Sequence, residues 1–291
     1  MGGGGDSGSA IKDILSGTVA GIAQVVAGHP LDTIKVRLQT QSSTNPEFSG
    51  MGDCIRKTIQ REGLMGLYAG AASPLLGAMA HNAGVFFSYG MAKDIVGGGK
   101  ELSIPQYYLA GSLAAIPITI VESPVDFFKI QLQAQVGEGK YKGVADCAKQ
   151  VYASQGIRGV YQGGVASLMR NVPCFGAYFF SFEATKAALT KKGEEPTLAT
   201  CFVAGGAAGF GFWGLWYPLE TIKTRIQSDA PEPALRKYKG IMDAFAKTQA
   251  EGGLKAFYKG YVPSIARAVP VNAAIFTGFT AAQRAMKKAD M

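Results

Sequence analysis

Apolar residues in this chain fall into long runs separated by short charged stretches. From Ile14 to Ala27 the chain carries no charge and is rich in Gly, Ala, Ile and Val. This reads as a helix that opens near Ile11 and continues past Pro30 to Gln39, because the apolar pattern resumes beyond the proline. A proline inside a helical pattern removes one backbone donor and kinks the helix. The same long runs recur at Tyr68–Ile95, Pro105–Gln135, Gly163–Leu189, Thr197–Gln227 and Gly260–Lys287. Between them lie three shorter segments, Met51–Arg61, Lys142–Ala153 and Tyr238–Gln249, whose apolar and charged residues alternate as on an amphipathic surface helix. Polar or glycine-rich links at Ser42–Gly50, Gly97–Lys100 and Lys191–Pro196 punctuate the chain. The pairs Gly17/Gly21 and Gly205/Gly209 have the spacing that lets membrane helices approach closely.

The pattern repeats as text as well as hydropathy. Pro30-Leu31-Asp32-Thr33-Ile34-Lys35 returns as Pro124-Val125-Asp126-Phe127-Phe128-Lys129 and again as Pro218-Leu219-Glu220-Thr221-Ile222-Lys223, with 94 residues from each proline to the next. Each copy carries an acid two residues after the proline, a base five after and a glutamine nine after (Gln39, Gln133, Gln227). A constant period of this kind marks repeated supersecondary units. We therefore read residues 1–10 as a flexible tail and 11–97, 98–192 and 193–291 as three repeats of one transmembrane domain. The fold class is an all-α membrane protein: six transmembrane helices plus three short surface helices in three pseudo-symmetric repeats. Helices satisfy their own backbone in lipid, which this architecture requires.

Composition agrees. Of the 291 residues, 47% are hydrophobic and only 17% charged, against about 25% in ordinary soluble domains. The net charge of +8 is spread along the repeats without an arginine-rich arm, which argues against a nucleic-acid partner. The four cysteines, Cys54, Cys147, Cys174 and Cys201, lack metal-ligand spacing, and Cys54 and Cys147 occupy equivalent repeat positions. The N-terminal Met1–Ser7 has neither a secretory nor an Arg-rich targeting pattern. No nucleophile–base pair, phosphate loop or metal set appears, so an enzyme is not expected, nor a metal or other cofactor.

Three acids and three bases at one height around a pseudo-threefold axis can pair helix to helix and close a path. Gln39, Gln133 and Gln227, further along each helix, can hydrogen-bond and brace those pairs. Charges at membrane depth are tolerated where they face an interior or a cavity.

With these motifs the chain resembles the mitochondrial carrier family along nearly its whole length. A second family element follows each repeat motif: Glu62-Gly63 with Tyr68-Ala69-Gly70, Gln155-Gly156 with Tyr161-Gln162-Gly163, and Glu251-Gly252-Gly253 with Tyr258-Lys259-Gly260. The resemblance implies a matrix gate of Asp32 with Lys129, Asp126 with Lys223 and Glu220 with Lys35, kinked at Pro30, Pro124 and Pro218. It also implies a cytoplasmic gate, which here is thinned: Phe182-Glu183-Ala184-Thr185-Lys186 is whole, Tyr89-Gly90-Met91-Ala92-Lys93 lacks its acid, and Phe279-Thr280-Ala281-Ala282-Gln283 lacks both charges. One inter-helix pair, Glu183 with Lys93, is expected there. Substrate contacts fall at Gly77, His81 and Asn82, at Arg170 and Asn171, and at Arg267. The two arginines point to an anionic group, since guanidinium binds carboxylate in bidentate fashion. Glu122, near the cavity floor, either receives a cationic group or balances an arginine.

Within the family the nearest branch is that of the carnitine/acylcarnitine and basic amino acid carriers. It is carried by Gly28–Gln41, Leu168-Met169-Arg170, Val172-Pro173, Asn272-Ala273-Ala274 and Gly90. In that branch an acid usually follows the helix-4 arginine, where this chain has Asn171. The implied protein exchanges a small carboxylate-bearing metabolite by alternating access in the mitochondrial inner membrane, both termini facing the intermembrane space, with structural cardiolipin. A second reading is a carrier-derived subunit of a larger inner-membrane respiratory assembly with reduced or lost transport.

Overall fold

A computed structural model describes residues 5–42, 45–98, 100, 102–136, 139–190, 194, 196–214, 216–267, 270–271, 274, 281–282 and 285. The described chain is helical: α1 Gly5–Thr40, α2 Met51–Glu62, a 3-10 turn Leu64–Tyr68, α3 Ala72–Gly97, α4 Ile104–Ala134, α5 Val144–Val160, α6 Gly164–Leu189, α7 Leu198–Trp213, α8 Tyr217–Gln227, a 3-10 turn Pro233–Leu235, α9 Ile241–Phe257 and α10 Tyr261–Ala266. Helix α1 opens at Gly5 rather than Ile11, so residues 5–10 of the expected tail continue the helix; none of them is a proline that would stop it. Beyond α10 most of the expected last long helix, including Phe279 and Gln283 of the thinned cytoplasmic motif, lies outside the described residues. By length and composition α4 is long and apolar enough to cross a membrane.

The chain divides into two compact units: residues 1–79, 128–147 and 259–291 in one, and 80–127 with 148–258 in the other. In the first, Ile34, Leu38, Phe48, Cys54 and Leu67 form the apolar core beneath α2. In the second, Ala110, Ala114, Ala115 and Ile118 of α4 pack with Ala92 and Phe175. Ile222, Tyr238, Ala244 and Phe257 form a separate core under α9.

Proline chemistry leaves helical carbonyls to be satisfied. Pro30 and Pro124 lie inside α1 and α4, and each lacks the N–H that would bond the carbonyl four residues back. Those two carbonyls, of Val26 and Ile120, instead accept the phenol hydroxyls of Tyr68 and Tyr161, each at 3.0 Å. The third repeat solves the problem differently. The expected single helix Thr197–Gln227 is two helices: α7 closes with Gly214 as its C-cap, and Pro218 sits in the first turn of α8. A proline there loses nothing, because the first-turn N–H groups have no helical partner.

Close helix contact also falls elsewhere than expected. Gly21, Gly205 and Gly209 have open space beside them. The tight approaches in the second unit are at Gly111, where a Cβ would come within 2.5 Å of the Phe175 carbonyl oxygen, and at Gly211, where it would meet the Ala177 carbonyl oxygen at 2.9 Å. The turns of the second family element are built alike in each repeat. Gly63, Gly156 and Gly253 have φ of 69°, 60° and 58°, and Gly70, Gly163 and Gly260 have φ of 77°, 75° and 81°. Glycine alone enters that left-handed region freely.

Candidate functional site

In the first unit the repeat motif turns its charges inward. Lys129 Nζ lies 2.6 Å from Asp32 Oδ2, forming the first expected gate pair. The other oxygen of Asp32 is taken: Arg267 Nε is 2.9 Å from Oδ1. Asp32 thus holds one gate base and one residue expected to contact substrate. Gly28 makes room for this, since a Cβ there would meet Val271 Cγ2 at 2.7 Å and Arg267 Nη2 at 3.2 Å. Gln133 braces the same turn through its neighbours: Nε2 donates to Thr33 Oγ1 at 3.1 Å and lies 3.1 Å from His29 Nε2. His29 Nε2 is also 2.8 Å from the Ala69 carbonyl oxygen, and Thr33 Oγ1 donates to Leu67 O at 2.8 Å. Lys35 and Gln39 are buried in this unit.

The second unit contains the second gate pair and more. Lys223 Nζ is ion-paired with Asp126 Oδ2. Its glutamine, Gln227, donates from Nε2 to the Ser123 carbonyl and to Ser167 Oγ, each at 3.4 Å. Gln133 and Gln227 therefore each reach the residue that precedes a proline, His29 or Ser123. For Glu220, the acid of the third expected pair, the structure shows a partner in its own unit: Arg170 Nε at 2.8 Å from Oε2. Arg170 is 5% exposed. Its guanidinium lies over the Phe212 and Trp213 rings, 4.7 and 5.4 Å from their centroids, and Nη1 is 3.6 Å from Glu122 Oε1.

Asn171 completes the cluster. It accepts a hydrogen bond from Arg170 Nη1 on Oδ1. Its Nδ2 donates to Glu122 Oε2 at 2.8 Å and to Thr119 Oγ1 at 3.0 Å. The sequence places Thr119, Glu122 and Asp126 at helical spacings of three and four on α4, which is why they share a face. Arg170, Asn171 and Glu122 are thus brought together, and Glu122 lies against the arginine, one of the two roles open to it from the sequence. Phe212, Trp213 and Thr119 join them without having been singled out in the sequence. An aromatic pair just before the third repeat motif was the available signal.

Outside the gates, two further ion pairs tie repeat motifs to surface helices. Arg37 donates to Glu62 at 2.7 Å and to Thr58 Oγ1 at 2.8 Å. Arg225 donates to Glu251 at 2.8 Å and to Thr248 Oγ1 at 3.0 Å. Sequence reading missed both, although the signal was present. The residue seven after each proline is Arg37, Gln131 or Arg225, and the acid position of the second element is Glu62, Gln155 or Glu251, so charge is present at both places or at neither. Glu251 comes one residue early because of Gly252, which is accommodated as a non-helical residue inside α9.

The cytoplasmic motif differs from expectation. Glu183 pairs with Lys186 three residues on in the same helix. Lys93 lies over the ring of Tyr89, 5.1 Å from its centroid. The expected Glu183–Lys93 pair is not formed, because the nearer lysine captures the acid. Tyr89 stacks on Phe179 instead, ring centroids 3.5 Å apart. Gly77, His81 and Asn82 fall within α3, but their side chains lie outside the described residues.

Charged side chains turned inward from long apolar helices, in three copies of one proline motif, define a membrane transporter. The chain belongs to the mitochondrial carrier family: the profile described as mitochondrial carrier protein matches residues 6–100, 100–193 and 194–290. It is thus an all-α carrier of three repeats, a mitochondrial solute carrier and not an enzyme. It is 40% identical over 288 residues to the mitochondrial carnitine/acylcarnitine carrier protein of Homo sapiens, covering 95% of this chain and 94% of that protein. The corresponding protein of Macaca fascicularis is 41% identical over the same length and coverage. The mitochondrial basic amino acids transporter of Bos taurus is 37% identical over 271 residues, 92% of this chain and 90% of that protein.

Proposed function

We propose that this chain exchanges a small carboxylate-bearing metabolite, carnitine-like or an amino acid, across the mitochondrial inner membrane by alternating access. One observation carries the reading. Arg170 and Arg267, the two arginines placed to meet substrate, are each ion-paired to an acid of the repeat motif, Glu220 and Asp32. A substrate carboxylate that takes Arg170 from Glu220 removes one partner of that acid. Substrate binding and rearrangement of the gate are then one exchange of ion pairs. Such an exchange has a modest net cost, because the guanidinium keeps an anionic partner throughout.

Relatives carrying carnitine/acylcarnitine or basic amino acids support the substrate class. By the same reading the other matrix-gate partners work as expected from sequence, both termini face the intermembrane space, and cardiolipin phosphates sit at the helix starts after Gly50, Gly163 and Gly240, where the first-turn N–H groups have no acceptor within the helix. The test is exchange in proteoliposomes loaded with carnitine, lysine, arginine or dicarboxylates, with Arg170→Ala and Arg267→Ala as controls. Exchange lost in both variants supports the reading; exchange intact in either removes that arginine from the site. The loss of the Glu183–Lys93 pair keeps a second reading alive, a carrier-derived subunit of a larger assembly. A monomer in mild detergent that exchanges solute disposes of it.

A further inference from the structure

The Phe212 and Trp213 rings hold the Arg170 guanidinium over their faces, which leaves the direction of its N–H groups open. Glu220 attracts Nε from 2.8 Å, but off the line of its N–H, and Nε makes no hydrogen bond among the described residues. The directional contact is Nη1 to Asn171 Oδ1. Asn171 is itself wholly buried. Its Nδ2 donates to two acceptors on α4, Thr119 Oγ1 at 3.0 Å and Glu122 Oε2 at 2.8 Å. Both hydrogens of the amide are thereby used, and it has no N–H left to offer a solute.

Helix α4 dictates which way that amide faces. The Thr119 hydroxyl gives its single hydrogen to the Ala115 carbonyl at 2.7 Å, so toward Asn171 its oxygen can only accept. The ionised Glu122 carboxylate also only accepts. A reversed amide would set its oxygen against both of them and its NH2 against the guanidinium. Every hydrogen in the chain points one way, from Arg170 through Asn171 and Thr119 to the α4 backbone, so each bond strengthens the next. We propose that Thr119, acting through Asn171, is a positioning residue for substrate recognition: the relay aims Arg170, and neither residue meets the substrate itself. This rests on the reading of Arg170 as a carboxylate site. It also accounts for the neutral amide beside the arginine, since an ionised acid at position 171 could not donate to Glu122 and Thr119.

The experiment measures exchange by the purified full chain in proteoliposomes, with labelled L-lysine, L-arginine and L-carnitine as probes, and ligand-linked thermal stabilisation in detergent as a second readout. Thr119→Val keeps the shape and removes the hydroxyl. It is expected to raise KM about two- to tenfold, the worth of one hydrogen bond, with kcat little changed. The factor is the same for every exchanged probe, because each presents its carboxylate to Arg170. Thr119→Ser restores the wild-type KM. In an Asn171→Ala background Thr119→Val adds nothing, since the relay is already cut. If Asn171→Ala does not fold, Thr119→Val against Thr119→Ser decides alone. An unaltered KM in Thr119→Val, a KM that Thr119→Ser fails to restore, factors that differ between probes, or effects that multiply in the double variant each overturn the inference and leave the carrier reading intact. Neither exchange nor stabilisation by any of the three probes overturns the carrier reading, and the inference with it.

Discussion

Arg170 Nε lies 2.8 Å from the Glu220 carboxylate, joining a residue proposed to meet substrate to a residue of the repeat motif. The arginine is held flat by Phe212 and Trp213 and cannot turn away without leaving both rings. Lysine lacks the planar, stacking fork that this position uses. Arg170→Lys is therefore expected to lower exchange by at least about tenfold, close to the effect of Arg170→Ala. Initial rates in proteoliposomes check this; full activity in Arg170→Lys would show that only the charge matters.

Gly28 sets the position of Arg267. A methyl group there would meet Val271 at 2.7 Å and the Arg267 guanidinium at 3.2 Å. Gly28→Ala is expected to weaken substrate binding more than folding: an apparent KM raised several-fold with a Tm within a few degrees of wild type. An unchanged KM would separate Arg267 from the site.

Much of this was legible in the sequence. The helices α2, α4 and α6 fall within a few residues of their predicted limits, because apolar periodicity is a local signal. Two expected motif pairs, Asp32–Lys129 and Asp126–Lys223, form within the two units, since spacing fixes which residues share a height. The rest was hidden because it depends on contacts distant in sequence. Nothing around Glu220 or Arg170 announces that they meet 50 residues apart. The break between α7 and α8 and the capture of Glu183 by Lys186 are local choices between near-equal options, which pattern alone does not rank.

Gly163 is the position where a side chain does most damage to a brace. Its φ is 75°, and a Cβ would lie 2.6 Å from Gln227 Cγ. Gly163→Ala should cost roughly 1–2 kcal/mol from the left-handed backbone alone, seen as a Tm several degrees lower in detergent. An unchanged Tm would mean that the turn relaxes without strain.

Glu251 supplies a pH-dependent part of the third repeat's stability. Burial by itself would raise its carboxyl, but hydrogen bonds from Lys237 and Arg225, with their charges, outweigh it and hold the group below the usual glutamate range. An acid depressed by folding contributes stability above its unfolded pKa of about 4.3, and the contribution is lost as pH falls below that. Removing the charge also leaves Arg225, which is 1% exposed, without its acid. Glu251→Gln should cost about 2 kcal/mol at neutral pH. The Tm gap to wild type should narrow as pH falls below about 4; a gap constant from neutral to acid pH would refute the assignment.

Burial pushes the Cys54 thiol up to about 11 and the Cys147 thiol up to about 12. At neutral pH both remain protonated, and the thiolate is the reactive form. Maleimide should label neither residue in the folded protein and both after denaturation, as read by peptide mass spectrometry. Rapid labelling of either in the folded state would show that its helix opens.

The central claim is that substrate and Glu220 compete for Arg170. Its most direct measurement is the Kd of an exchanged carboxylate substrate, from ligand-linked thermal stabilisation, in wild type, Glu220→Gln and Arg170→Gln. Competition predicts binding several-fold tighter in Glu220→Gln, where the arginine is released, and binding lost in Arg170→Gln. An equal or weaker Kd in Glu220→Gln would contradict it.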